Sequence, residues 1–137
     1  MARKPKALVF DSWAVLAYLG DEASGKEVAN LIAGAHENRT PMYMSNVNAG
    51  EVWYILAREI SETEADKAVA DLARLGIELV DANWPLTRIA AGFKARHRMS
   101  YADCFAAALA KIKNAEFVTG DPEFKEVEKE IKVVWLK

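Results

Sequence analysis

Short, uniformly apolar runs alternate with amphipathic stretches along the chain. Residues 7–10, entered through Pro5 and closed by Asp11, have the length and composition of a strand buried on both faces. Trp13, Leu16, Ala17 and Leu19 then recur at helical spacing up to Gly20, a residue suited to ending a helix. Residues 26–35 predict a second helix with Val28, Leu31 and Ile32 on one face, followed by a polar loop over 36–40. A second strand is expected over 41–45 and a helix over 49–60. Ser61, with Glu64 three residues on, makes a capping box at the head of a helix carrying Ala65, Ala68, Val69, Leu72 and Leu75, which Gly76 ends. Residues 77–80 read as a third strand. Pro85 suits the first turn of a helix bearing Leu86, Ile89 and Phe93, and Ser100 caps another with Ala102, Phe105, Ala106 and Leu109 inward. A strand over 116–118, a short charged helix from Pro122 and a last strand over 133–136 complete the pattern. No two strands are joined by a hairpin-length turn. The alternation therefore predicts an α/β fold, a three-layer α/β/α sandwich with a mainly parallel central sheet.

Composition sets the scale. With 137 residues, 52% of them hydrophobic, the chain can build one substantial core and not two, so residues 1–137 read as a single domain. Charged residues, 28% of the total, are mixed in sign, which argues against a disordered chain. The net charge of -2 provides no global positive field, so any contact with nucleic acid must use local basic groups or bound cations. Cys104 is the only cysteine, which excludes an intramolecular disulfide. The basic opening residues lead into no secretory core, and no run approaches the roughly 18 apolar residues of a membrane span. A cytoplasmic protein without membrane contact is expected.

Four acids stand where a parallel sheet concentrates its chemistry, at the carboxyl ends of strands and the amino ends of the following helices. Asp11 follows the first strand, Glu51 lies in the first turn of the helix after the second, Asp103 in the first turn of the helix opened by Ser100, and Asp121 just after the fourth strand. Helix capping explains acids at such places too: Asp121-Pro122 is a good cap, and Asn48 to Glu51 has capping-box spacing. Asp81, after the third strand, serves as a control with no chemistry attached. What distinguishes the set is apolar surroundings. Asp11 and Asp121 end apolar runs, and Asp103 lies in the most apolar helix of the chain, where a carboxylate is costly unless paired or bound to a cation. Clustered carboxylates repel one another, and hard divalent ions with oxygen ligands relieve this.

The segments Leu-Val-Phe-Asp11-Ser12, Asn-Ala-Gly-Glu51-Val, Ser100-Tyr-Ala-Asp103-Cys-Phe-Ala-Ala-Ala and Val-Thr119-Gly-Asp121-Pro-Glu-Phe124 occur in the order of PIN-domain motifs. Over essentially its whole length the chain resembles that family, and within it the VapC-type ribonuclease toxins of toxin–antitoxin pairs. The resemblance implies an α/β/α sandwich and an endoribonuclease whose acids hold Mg²⁺ or Mn²⁺ against the scissile phosphate of single-stranded or structured RNA. Asp11, Glu51 and Asp103 would be the core ligands, Asp121 a further ligand, directly or through water, Thr119 a supporting polar group, and Ser12 the small polar residue that follows the first acid. Trp13 departs from the pattern. A homodimer and a cognate antitoxin, whose tail enters the acidic groove, are also implied. PIN domains in RNA processing, or retained as non-catalytic RNA-binding modules, are the alternative.

Lys94, Arg96, His97 and Arg98 precede the Asp103 helix. Arg96 and Arg98 are candidates for RNA phosphate contacts, although cations in the last turn of a helix equally complement its dipole. A metal-free ribonuclease would need an acid–base pair, usually of histidines, and His36 and His97 are the only two. Cys104 reads as a small buried apolar residue. Residues 52–57 are apolar all round, as in a helix covered on both sides by the core, an oligomer or the antitoxin. A dehalogenase-type enzyme would place an acid where Trp13 stands, a receiver domain would place a lysine where Thr119-Gly120-Asp121 stands, and no glycine-rich phosphate loop is present.

Overall fold

The computed structural model describes residues 5–20 and 23–137. Five strands, β1 (Leu8–Phe10), β2 (Met42–Ser45), β3 (Ile77–Val80), β4 (Glu116–Thr119) and β5 (Lys132–Trp135), form one sheet in the order β3-β2-β1-β4-β5. Every pairing is parallel, with Val9 of β1 level with Tyr43 of β2 and Phe117 of β4. β1 is therefore central, with hydrogen-bonded neighbours on both sides. Its three residues are all buried, which is why it reads in sequence as a continuous apolar run.

Helices α1 (Ser12–Leu19), α2 (Ala23–Asn38), α3 (Asn46–Glu59), α4 (Glu62–Arg74), α5 (Trp84–Arg96) and α6 (Tyr101–Ile112) connect the strands, and a 3-10 helix (Pro122–Val127) lies between β4 and β5. Successive strand residues face opposite sides, so the sheet divides two cores. Val9 and Phe117 pack with Phe93, Phe105, Leu109 and Phe124 on one side, whereas Leu8, Phe10 and Val118 pack with Val15, Val28, Ile32, Val52 and Leu72 on the other. The result is a three-layer α/β/α sandwich.

Most boundaries shift by a few residues from the sequence reading; two shifts have identifiable causes, and one of them matters for function. α2 runs on through His36, Glu37 and Asn38, which were expected in a polar loop; the His36 ring bonds the Leu75 carbonyl at 2.6 Å, anchoring the extra turn. α3 begins at Asn46 rather than near residue 49, because Ser45 ends β2 and at once caps the helix, its Oγ accepting from Val47 N at 3.1 Å. No loop intervenes. Glu51 therefore stands in the second turn, beyond the reach of ordinary capping, and Asn48 is not a cap.

α1 and α2 approach closely at Gly25, where a Cβ would lie 2.6 Å from the Ala17 carbonyl oxygen and 3.2 Å from Tyr18 Cα. Both obstacles are backbone and cannot rotate away. Gly25→Ala is accordingly expected to cost about 1–3 kcal/mol, measured as a lower urea midpoint at unchanged m. An unchanged midpoint would show that the two helices slide apart freely.

Candidate metal centre

The site grows from the end of β1. Asp11 is 1% exposed and caps α1, accepting from Ala14 N at 2.8 Å. Its other oxygen accepts from the Thr119 hydroxyl at 2.5 Å, and that hydroxyl accepts in turn from Asp121 N at 3.0 Å. Thr119, fully buried at the end of β4, thus couples the first and last acids. Ser12 donates to Glu51, joining the first turn of α1 to α3. Asp103, 9% exposed, receives its backbone cap from Ser100 Oγ at 3.1 Å. Asp121 caps the 3-10 helix, accepting from Glu123 N at 2.9 Å.

The structure adds a residue to the expected set. Carboxylate oxygens of Asp103, Asp121 and Glu123 lie within 4.8 Å of one another. Glu123 stands in the quoted motif as the acid two residues after Asp121; in sequence it looked like one more acid on a charged helix. Burial is the main cause that pushes Asp11 up to about 7, against the lowering effect of its Thr119 and Ala14 hydrogen bonds; the charges of Asp103 and Asp121 add to it. Asp103 is also raised to about 7, first by burial and then by the Glu123 carboxyl, with Asp121 and Glu51 contributing repulsion. Asp11 and Glu51 stand outside the three-carboxylate group and are linked to it by this repulsion and, for Asp11, through Thr119 to Asp121. Among the described residues, none of the five pairs with a lysine, arginine or histidine.

Beside them lies Asn48, fully buried on α3 one turn before Glu51. Its Nδ2 donates to the carbonyl of Ala102, next to Asp103, at 3.1 Å. Its Oδ1 is the only buried side-chain polar atom without a hydrogen-bond partner among the described residues. The control behaves as a control: Asp81 is exposed and accepts from Asn46 Nδ2 at 2.7 Å, apart from the cluster.

Three of the four basic residues ahead of α6, Lys94, Arg96 and His97, are engaged elsewhere. Arg96 donates to Glu130 at 3.2 Å and lies over the Phe93 ring, and His97 bonds Glu130 at 2.6 Å. Arg98 is exposed and has no polar partner among the described residues. Neither arginine bonds a carboxylate of the cluster. His36 and His97 are likewise committed to Leu75 and Glu130, so no histidine pair accompanies the acids. Cys104 is fully buried in the α6 core, as its setting predicts, and burial raises its thiol pKa.

A family model for the PIN domain matches residues 8–130. The chain belongs to the PIN domain family. No curated protein sequence matches it. Among solved structures, this PIN domain superposes on VapBC2 from Rickettsia felis, bound to a promoter DNA fragment, with a TM-score of 0.75 and 15% identity, covering 96% of this chain and 99% of that one. DNA-bound VapBC from Salmonella typhimurium gives 0.71 at 15% identity over 93% and 96%. VapC20 from Mycobacterium tuberculosis, a toxin that cleaves the sarcin-ricin loop, gives 0.66 at 21% identity over 87% and 93%. The fold of this PIN domain is that of VapC-type chains. Among its described residues no helix is long and apolar enough to cross a membrane.

Proposed function

We propose that this PIN domain is a metal-dependent endoribonuclease and the toxin of a toxin–antitoxin pair. The observation that carries the reading is the grouping of Asp103, Asp121 and Glu123, with Asp11 and Glu51 in electrostatic reach, without a cationic partner among the described residues. Such a cluster is costly unless a cation neutralises it. An all-oxygen donor set suits Mg²⁺ or Mn²⁺, and Asn48 Oδ1, an acceptor without a donor, fits the water that a hydrated hard ion retains. Asp11, Glu51, Asp103 and Asp121 would hold the ion, joined by Glu123, whose carboxylate stands within 4.8 Å of those of Asp103 and Asp121.

When bound, such an ion supplies Lewis-acid polarisation of the phosphoryl group and lowers the pKa of water. The chain's own residues do the positioning. Thr119 fixes the Asp11 oxygen and the Asp121 backbone in one network, Ser12 orients Glu51, and Asn48 ties α3 to α6 so that Glu51 and Asp103 keep their spacing. With both histidines engaged elsewhere, direct activation of a ribose hydroxyl by a histidine pair has no candidates here. The antitoxin reading draws on the VapBC likeness and on an open apolar groove between α1 and α3, lined by Leu16, Leu19, Leu56 and Ile60. Of residues 52–57 only Val52 is buried, so this helix has surface to offer a partner, whether the antitoxin or a second copy in a homodimer.

The test is cleavage of single-stranded RNA with Mg²⁺, with Mn²⁺ and with EDTA, alongside Asp103→Asn prepared identically. Cleavage is expected only with metal and wild-type protein, leaving 5′-phosphate and 3′-hydroxyl ends. Cleavage that persists in EDTA, leaves 2′,3′-cyclic phosphates or survives the substitution would sink the assignment.

A further inference from the structure

Trp13 stands in the acidic crevice, yet the cleavage chemistry makes no use of it. It follows Asp11 and Ser12 in the first turn of α1, half-buried, with part of its surface on the core that contains Leu8 and Val118. The far end of its indole reaches the turn after β4. A Cβ on Gly120 would run into Trp13 Cη2, Cζ3 and Cζ2, so a side chain at 120 would force the ring to move. The ring therefore lies against the residue that precedes Asp121. Its Nε1–H has no acceptor among the described residues and is not among their enclosed polar atoms, so it opens to solvent. Trp53, by contrast, donates its N–H to Asp66 at 2.9 Å.

RNA must approach this site against a cluster of acids, on a chain of net charge -2 in which Arg96 is tied to Glu130 and only Arg98 of the two arginine candidates is unpartnered among the described residues. Beyond Arg98 and the proposed ion, phosphate attraction adds little to the hold on substrate. Stacking does not depend on protein charge, and unpaired bases are the nucleic-acid groups that aromatic side chains take. The geometry points to the Trp13 indole as the platform on which an unpaired nucleobase beside the scissile phosphate stacks, with Gly120 as the residue that makes room for it. The inference rests on the nuclease reading and deepens it, since it makes a single-stranded segment the substrate at this position.

Wild type, Trp13→Phe and Trp13→Leu are compared by fluorescence or anisotropy titration in EDTA with a short oligoribonucleotide and with an abasic ribose-phosphate oligomer of equal length. Wild type should bind the base-bearing oligomer about tenfold more tightly, with quenching that Trp13→Phe removes. Trp13→Phe should keep most of the preference, and Trp13→Leu, which still fills the space, should bind both oligomers at the weak level. Equal affinity of wild type for the two oligomers, or an equal loss on both in Trp13→Leu, would overturn the inference. Binding is read without turnover, so a wild type that prefers the base-bearing oligomer but cleaves nothing would sink the nuclease reading and leave the stacking platform standing.

Discussion

Metal-free Asp11→Asn is expected to melt at a higher temperature than wild type at pH 8 while cleaving RNA at least about a hundredfold more slowly. The two effects share one cause. The folded Asp11 carboxyl titrates at about 7 against an ordinary value of 3.8, because burial penalises its charge. Between pH 4 and pH 7 the native protein keeps a proton that the unfolded chain has released. Stability of the metal-free protein therefore falls as pH rises through that window and levels off above it. Asparagine carries no charge to bury and still caps α1 through its carbonyl, at the cost of rearranging the Thr119 hydrogen bond. A net gain of about 1–3 kcal/mol at pH 8 corresponds to roughly 3–8 °C in Tm, and it should vanish near pH 4. Added Mg²⁺ or Mn²⁺ should reverse the order by stabilising wild type alone. The loss in cleavage should exceed the roughly 10–100-fold typical for an outer-shell partner, because a ligand itself is removed. Scanning calorimetry across pH, with and without metal, decides it; a variant less stable than wild type at pH 8 without metal would show that Asp11 is not under electrostatic strain.

Thr119→Val should lower activity about 10–100-fold and move the acid limb of the pH–rate profile upward. Valine matches threonine in shape, so the core is spared, but the donor to Asp11 and the acceptor for Asp121 N vanish together. An unpaired N–H and a carboxylate short of a donor cost about 1–3 kcal/mol. The Thr119 hydrogen bond also holds the Asp11 pKa down, so without it protons compete with the cation at still higher pH. Profiles at subsaturating metal separate the two roles. Thr119→Ser should recover both the rate and the acid limb, and a uniformly slower Thr119→Val with an unmoved limb would reduce Thr119 to packing.

Much of the architecture was legible because a parallel strand buried on both faces is a short apolar run, as residues 7–10 are, and because residues 77–80 and 116–118 stand as short strand-like segments between helical patterns. The positions of Asp11, Asp103 and Asp121 followed from those runs and from the Ser100 cap. Glu51 was misplaced by a turn because Ser45 does two jobs at once: a strand end that is also a helix cap leaves no loop to mark the boundary. Glu123 was missed because charge alone does not separate an acid facing a crevice from one facing water. The engagement of Arg96 with Glu130 joins residues 34 apart in sequence, a pairing that local spacing cannot express. Trp13 was visible as a departure from the family pattern, but its meaning required Gly120, brought beside it only by the pairing of β1 with β4.

That pairing also governs when the protein becomes dangerous to its own cell, if it is a toxin. The hydrogen bond between Asp11 and Thr119 spans 108 residues, and β1 gains its β4 neighbour only after residues 116–119 have been made. Contacts so distant in sequence form late, after the long loop between them has closed. A nascent chain emerging from the ribosome carries its first acid from the outset yet lacks the assembled site until the fourth strand arrives. On the proposed reading, that interval would give an antitoxin time to engage the chain before there is any nuclease to restrain.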